Sequence, residues 1–181
     1  FYPLTTARLP GVEAYRTQKK VFGRPYTILV TFNQNLLDGQ LQGLTASLQK
    51  ARRQLRAQGD IAVAETSEMG LALLDYIVGF RAVVLVDAVQ TGRGPPGCVH
   101  ELSAEDLEAL PAVSPHFLGV GETLALGRRL GLAVPQRVHI LAVEVEDPFT
   151  MGTELTPALQ AALPGIVARA LAVARRWSEP G

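Results

Sequence analysis

The chain has 181 residues, of which 48% are hydrophobic and 19% charged, and its net charge at pH 7 is zero. This length suits one domain with a sizeable core, and the composition excludes a disordered or fibrous protein. We see no apolar run that approaches the ~20 residues of a membrane span, and we therefore predict no membrane partner. The single cysteine, Cys98, cannot form an internal disulfide and fits a reducing, cytoplasmic setting.

The zero net charge conceals a division along the chain. Residues 1–60 carry nine Lys/Arg and three Asp/Glu, a net of +6, whereas residues 61–181 carry eight and fourteen, a net of −6. Such asymmetry indicates either a basic arm for an acidic partner or two parts of different origin. Residues 1–25 contain scattered Pro and Gly without periodicity, and they are predicted to be an extension or linker. Residues 26–181 are predicted to be one α/β domain.

Segments of strand and helix periodicity alternate through that domain. Strands are predicted at 26–32, 61–64, 82–87, 98–102 and 138–145. Helices are predicted at 41–58, 69–78, 121–130 and from Thr156-Pro157 onward. Ser103 is expected to cap a further helix, and Pro164 to break or kink the last one. The alternation predicts a three-layer α/β/α sandwich around a largely parallel sheet.

The segment Ala-Val-Val-Leu-Val-Asp-Ala at residues 82–88 shows no polar alternation, which predicts a central strand buried on both faces. Its acid, Asp87, lies at the carboxyl end of that strand, where open α/β sheets bind ligands. His116 follows 29 residues later, and the two side chains could form half of a site for a hard or borderline metal ion. A turn-forming Asp and a solvated His are the alternative reading. Burial is predicted for Val83, Leu85, Val86, Ala88, Ile140, Val143 and Leu163, whereas Asp87 and His116 are not expected to be packed core groups.

Several segments, in this order and at this spacing, resemble the hydrogenase maturation proteases. The segments are Glu-Met-Gly-Leu-Ala-Leu-Leu-Asp at 68–75, Val-Asp-Ala at 86–88, Pro-Gly at 96–97, Ser-Pro-His at 114–116 and Leu-Thr-Pro-Ala-Leu at 155–159. The resemblance covers residues 61–181 and implies a mixed sheet of about five strands. It also implies an aspartic-type endopeptidase that removes the C-terminal tail of the nickel-iron hydrogenase large subunit after nickel insertion.

The resemblance further implies that three side chains recognise the nickel already held by the substrate. Asp87 and His116 match two of these positions. The third falls in the segment 33–43, where Asp38 is the candidate acid but Gln40 occupies the ligand position in the gapless register. Gln brings no charge to a cation, so Asp38 would have to replace it. The implied partner is the large-subunit precursor in the cytoplasm, with no organic cofactor, and no catalytic residue is assigned.

Residues 13–56 resemble an internal piece of an insertion-sequence transposase, in agreement with their basic charge. The segment lacks the three acids that a transposase needs, so transposase activity is not expected, and nucleic acid is not an expected partner. This second resemblance supports an alternative: a composite or non-catalytic remnant that keeps the fold but has an incomplete metal site. Nucleic-acid binding through the basic head is a weaker hypothesis. In each case exposure is expected for Lys19, Lys20, Arg52, Arg53 and Arg56.

Overall fold

The computed structural model describes residues 26–31, 50, 53, 61–66, 70–103, 106, 119–147 and 155–178; for 26–31, 64–66 and Ser178 it describes the backbone. The five strands are β1 (Tyr26–Thr31), β2 (Ile61–Thr66), β3 (Ala82–Val89), β4 (Val99–Ser103) and β5 (Arg137–Glu144). A 3-10 turn at Gly70–Leu73 leads directly into α1 (Leu74–Ile77), and it is followed later in the chain by α2 (Val120–Arg129) and α3 (Pro157–Ser178). Each predicted strand is therefore present within two residues of its expected bounds.

The strands form one mixed sheet in the order β2-β1-β3-β5-β4. The pairs β1–β2, β1–β3 and β3–β5 are parallel, and only the edge strand β4 pairs antiparallel, with β5. The predicted α/β class with a mixed, largely parallel sheet is confirmed. The strand at 26–31 pairs with residues 82–86, so the basic head supplies the partner that the central strand requires.

Helices cover both faces of the sheet. On one face, Val84, Val86, Leu141 and Val143 pack with apolar residues of α3. On the other, Val83, Leu85, Ile140 and Ala142 pack with the segment 70–77 and with α2. All eight residues of β3 are buried, which confirms that this strand is central. The residues predicted to be buried are all buried except Leu163, which is half-buried at the margin of the α3 cluster.

Two predicted helix starts have the expected caps. The Ser103 hydroxyl accepts from the Asp106 N–H at 3.3 Å, while the Asp106 carboxylate accepts from the Ser103 N–H at 2.8 Å. This reciprocal pair is a capping box with Asp in the third helical position. Thr156 precedes Pro157 at the start of α3, and its hydroxyl accepts from the Leu159 N–H at 3.4 Å. In the predicted 41–58 helix, Lys50 and Arg53 are helical and exposed, and its other residues lie outside the described part.

The expectations for the last helix need two corrections. α3 continues through Pro164. Proline has no N–H, so the Gln160 carbonyl loses its partner in the helix. Both residues are exposed, so this carbonyl is not buried without a partner. The segment Pro157–Trp177 is also long and apolar enough to cross a membrane by composition, so the prediction that no such segment exists is wrong. One face of α3 packs on the sheet and its exposed positions are rich in alanine, which together account for that composition.

The turn at Gly97 brings the β3–β4 connection against α3. Gly97 has a φ of 89°, and a Cβ there would lie 2.8 Å from the Ala162 Cβ. Gly92, in the same connection, has a φ of 68° but open space around it. We expect Gly97→Ala to lower the free energy of unfolding by about 2–4 kcal/mol, since it adds overpacking to backbone strain, and Gly92→Ala by about 1–2 kcal/mol. Urea unfolding of both variants measures the difference, and equal losses would contradict the close contact with α3.

Candidate functional site

Asp87 lies at the carboxyl edge of the sheet, beside the point where the strand order reverses. The chain passes from β1 to β2 on one side and then crosses back over β1 to β3 on the other. Open α/β sheets bind ligands at such a reversal point, outside the carboxyl ends of the strands. Val30 pairs with Val86, so β1 ends level with Asp87. The sequence-based placement of Asp87 at a ligand-binding edge is consistent with this topology.

The Asp87 carboxyl is buried, with 1% of the residue exposed. Leu85 and Val89 lie two residues before and after Asp87 on the strand, and side chains at this spacing point to the same face. The Asp87 side chain therefore points to the face covered by residues 70–77 and α2. Its Oδ1 accepts from the Ala88 N–H at 2.8 Å. Burial raises the pKa of Asp87 well above its ordinary value, and the Ala88 hydrogen bond offsets this only in part. The expectation that Asp87 is not a packed group is wrong, because the strand end is covered as fully as the strand middle.

Within the described part of the chain, no ion pair involves Asp87 and no group of three His, Cys, Asp or Glu side chains could hold a metal ion. Asp38 and His116 lie outside that part, so their convergence with Asp87 stays a prediction. The chain on either side of them approaches the same edge. β1 ends there seven residues before Asp38, and α2 begins at Val120, four residues after His116.

The orientation of α2 follows from its ends. The connection after it lies beside the start of β3, where the Gln136 N–H donates to the Arg81 carbonyl at 2.9 Å and the Gly79 N–H to the Ala133 carbonyl at 2.7 Å. Ten helical residues span about 15 Å, so the other end of α2 extends toward the carboxyl edge. Gly119, just before this helix, has a φ of 102°, a conformation that glycine adopts readily. The first residue of α2, Val120, therefore lies toward the edge of the sheet that carries Asp87.

A second polar cluster lies next to Asp87 and was missed by the sequence-based reasoning. Glu144 ends β5 and is 2% exposed. Its Oε2 accepts from the Thr91 N–H at 3.0 Å, its Oε1 accepts from the Thr91 hydroxyl, and His100 Nε2 lies 2.9 Å from Oε1. Burial raises the pKa of Glu144, but the hydrogen bonds from Thr91 and His100 outweigh it and hold the pKa below its ordinary value.

One signal for this cluster was present in the sequence. Ile-Leu-Ala-Val-Glu at residues 140–144 repeats the pattern of an apolar run that ends in an acid, as at Asp87. His100, in β4, is the histidine partner of this acid. His139 lies on the face opposite Asp87, where its ring meets Trp177 edge-on at 6.5 Å and its Nε2 lies 3.1 Å from Glu101.

Comparison with known proteins agrees with this architecture. The profile of the family described as HycI, hydrogenase maturation protease, matches residues 46–173, well over half of the chain. No curated protein matches the sequence significantly.

Solved structures of similar fold include the hydrogenase maturating endopeptidase HybD from Escherichia coli, with 21% identity, a TM-score of 0.62 and coverage of 83% of this chain and 92% of that one. The [NiFe] hydrogenase maturation protease HybD from Thermococcus kodakarensis has 24% identity, a TM-score of 0.56 and coverage of 82% and 99%. The similarity to these structures shows the fold, and the profile match shows the family. The chain therefore belongs to the hydrogenase maturation proteases, which places its function in the proteolytic maturation of a hydrogenase large subunit.

Proposed function

We propose that this protein is a cytoplasmic endopeptidase that removes the C-terminal tail of a nickel-iron hydrogenase large-subunit precursor once nickel has been inserted. The observation that carries the proposal is Asp87, a buried carboxyl at the reversal point of the sheet in a chain of this family. A remnant without activity is not favoured, because the head supplies the strand beside β3. The aspartic-type assignment is part of the same proposal.

The proposed site recognises nickel as part of the substrate, through Asp87, His116 and Asp38. Carboxylate and imidazole together suit a borderline divalent ion such as Ni²⁺, while the precursor supplies the remaining ligands. The environment of Asp87 fits this role. Burial raises the pKa of this carboxyl, and a divalent ion beside it would lower that pKa by favouring the carboxylate. A site built in this way distinguishes loaded from unloaded precursor by charge.

The proposal predicts that cleavage depends on the metal state of the precursor. Purified protein incubated with nickel-loaded large-subunit precursor should release a C-terminal fragment, detected by mass spectrometry, while metal-free precursor should remain intact. The physical reason is that an empty precursor offers no cation to the buried carboxyl. Equal cleavage of both precursors would contradict nickel recognition, and no cleavage of either would contradict the proposed activity.

Titration with Ni²⁺ in the same preparations tests two of the three proposed ligands, Asp38 and His116. Asp38→Ala and His116→Ala should each weaken binding by at least about 10–100-fold, since a lost ligand costs no less than a lost supporting contact. Glu146→Ala is the matched control, because Glu146 is an exposed acid just beyond β5 at the same edge. Unchanged affinity in Asp38→Ala would show that the head does not complete the site.

A further inference from the structure

The connection between β3 and β4, residues 90–98, is held at both ends by Glu144. At the start of this 90–98 loop, the N–H and hydroxyl of Thr91 both donate to the Glu144 carboxylate. At its end, the Gly97 N–H donates to the Glu144 carbonyl at 2.8 Å, and the Glu144 N–H donates to the Cys98 carbonyl at 2.8 Å. Side chain and backbone of one residue therefore close the loop.

Further hydrogen bonds form within the loop and between Glu144 and β4. The Arg93 N–H donates to the Thr91 hydroxyl oxygen at 3.1 Å, and the Cys98 N–H donates to the Pro95 carbonyl at 3.0 Å. His100 Nε2 lies 2.9 Å from Glu144 Oε1, the oxygen that also accepts from the Thr91 hydroxyl. Three donors on a buried carboxylate leave it few alternative positions. The loop tip is nonetheless at the surface, with Gly92, Arg93, Pro95 and Pro96 exposed.

The hydrogen bonds from Glu144 to the 90–98 loop, here called the clamp, lie beside the candidate site. Asp87 pairs with Ala142 and Val89 with Glu144 in the parallel ladder, so the Asp87 and Glu144 side chains share one face of the sheet. From strand spacing and rise, their Cα atoms are about 8 Å apart. His100 also pairs with Ala142, on the other side of β5, and points to the same face. The 90–98 loop thus leaves the sheet three residues after Asp87 and returns beside Glu144.

We infer that Glu144 is a positioning residue for substrate, which fixes the 90–98 loop as a rigid wall beside Asp87 for the extended C-terminal segment of the precursor. A buried carboxylate rarely adds stability over an apolar residue of similar size, so its value here lies in the geometry that it imposes. A wall that is already ordered spares the entropy of ordering a loop when the peptide binds. The inference rests on the proposed function and adds the loop and its clamp to the recognition of the precursor.

The test compares three variants in cleavage of nickel-loaded precursor. Glu144→Ala removes all carboxylate contacts and should raise KM about 10-fold or more with little change in kcat, since two or three hydrogen bonds position the loop. Thr91→Val, which keeps the N–H contact and the fold, should raise KM to a smaller extent. Glu144→Gln should restore KM, because the amide oxygen can accept from the Thr91 N–H while the amide NH₂ donates to the Thr91 hydroxyl oxygen and lies within reach of His100 Nε2.

Glu101→Ala is the matched control. Glu101 also accepts from a histidine and from Arg169, at 3.1 and 2.9 Å, but it lies on the opposite face of the sheet. Its loss should leave KM unchanged. Hydrogen–deuterium exchange should rise in residues 90–98 for Glu144→Ala and not for Glu101→Ala.

The outcomes separate this inference from the proposed function. If wild type cleaves the loaded precursor but Glu144→Ala and Thr91→Val retain its KM, the positioning role is overturned. Unchanged exchange of residues 90–98 in Glu144→Ala would overturn the clamp itself. Failure of wild type to cleave would instead overturn the proposed function. If kcat falls in Glu144→Ala at constant KM, and Glu144→Gln does not restore kcat, a role in placing the substrate is also contradicted.

Discussion

Asp87→Asn should abolish processing of the nickel-loaded precursor and at the same time make the protein more stable at neutral pH. The amide has nearly the same shape as the carboxyl, and its oxygen can still accept from the Ala88 N–H. It cannot carry the charge that a divalent ion attracts, so we expect a loss in processing of at least about 10–100-fold. Stability should rise because a buried carboxyl without an ion pair in the described structure is replaced by a group that never ionises.

The pH dependence of unfolding tests the predicted gain in stability of Asp87→Asn. Burial raises the pKa of Asp87 in the folded protein, so the unfolded chain releases this proton at a lower pH, near 4. Between the two pKa values the unfolded state binds fewer protons, and stability falls as pH rises. Thermal unfolding of wild type from pH 4 to 8 should show this fall on top of other titrations, and Asp87→Asn should lack it. Glu146→Gln, the exposed control, should change neither processing nor the profile.

Two results would contradict this account of Asp87. Processing by Asp87→Asn at the wild-type rate would remove the carboxylate from nickel recognition. A pH profile of stability identical to that of wild type would show that the carboxyl is not destabilised by burial in the folded protein.

Ile140→Ala should lower the free energy of unfolding by about 2–5 kcal/mol. Ile140 is fully buried in β5, between β3 and β4, and its side chain packs in the cluster formed with segment 70–77 and α2. Truncation to Ala removes three carbons from this layer and leaves a cavity that strands paired on both sides cannot close. Urea unfolding with a common m-value measures the loss.

Leu71→Ala is the control for this core substitution. Leu71 is 59% exposed, so its truncation should change stability by no more than about 0.5 kcal/mol. A loss below 1 kcal/mol in Ile140→Ala would show that β5 does not occupy the interior of the sheet.

The sequence was most informative where local pattern and burial coincide. Residues 82–88 predicted a central strand because a run without polar alternation must be covered on both faces, and β3 is buried along its whole length. The caps at Ser103 and Thr156 were predictable because they depend on residues within a few positions. The first turn of the predicted 69–78 helix is 3-10 instead of α, a difference of local hydrogen bonding that periodicity does not resolve.

The candidate site was predictable only in part, for a physical reason. Glu144 meets Thr91 and His100 across 53 and 44 residues, and these contacts depend on strand register and on the place of β5 in the sheet. Neither property is encoded in a local pattern. His100 thus looked like an ordinary strand residue. Conversely, Asp87 was recognised by its strand-end position, but its burial was not, since the cover comes from segment 70–77 and α2.

The place of β5 in the sheet also constrains the order in which the protein can be built. β3 and β4 are neighbours along the chain, yet β5 lies between them. During synthesis, β4 has no partner in the described sheet until residues 137–144 have emerged, and the valine-rich β3 keeps one edge unpaired for the same interval. An unpaired hydrophobic strand edge invites association with other chains. The nascent protein is therefore exposed to aggregation at its future central strand until β5 has been made.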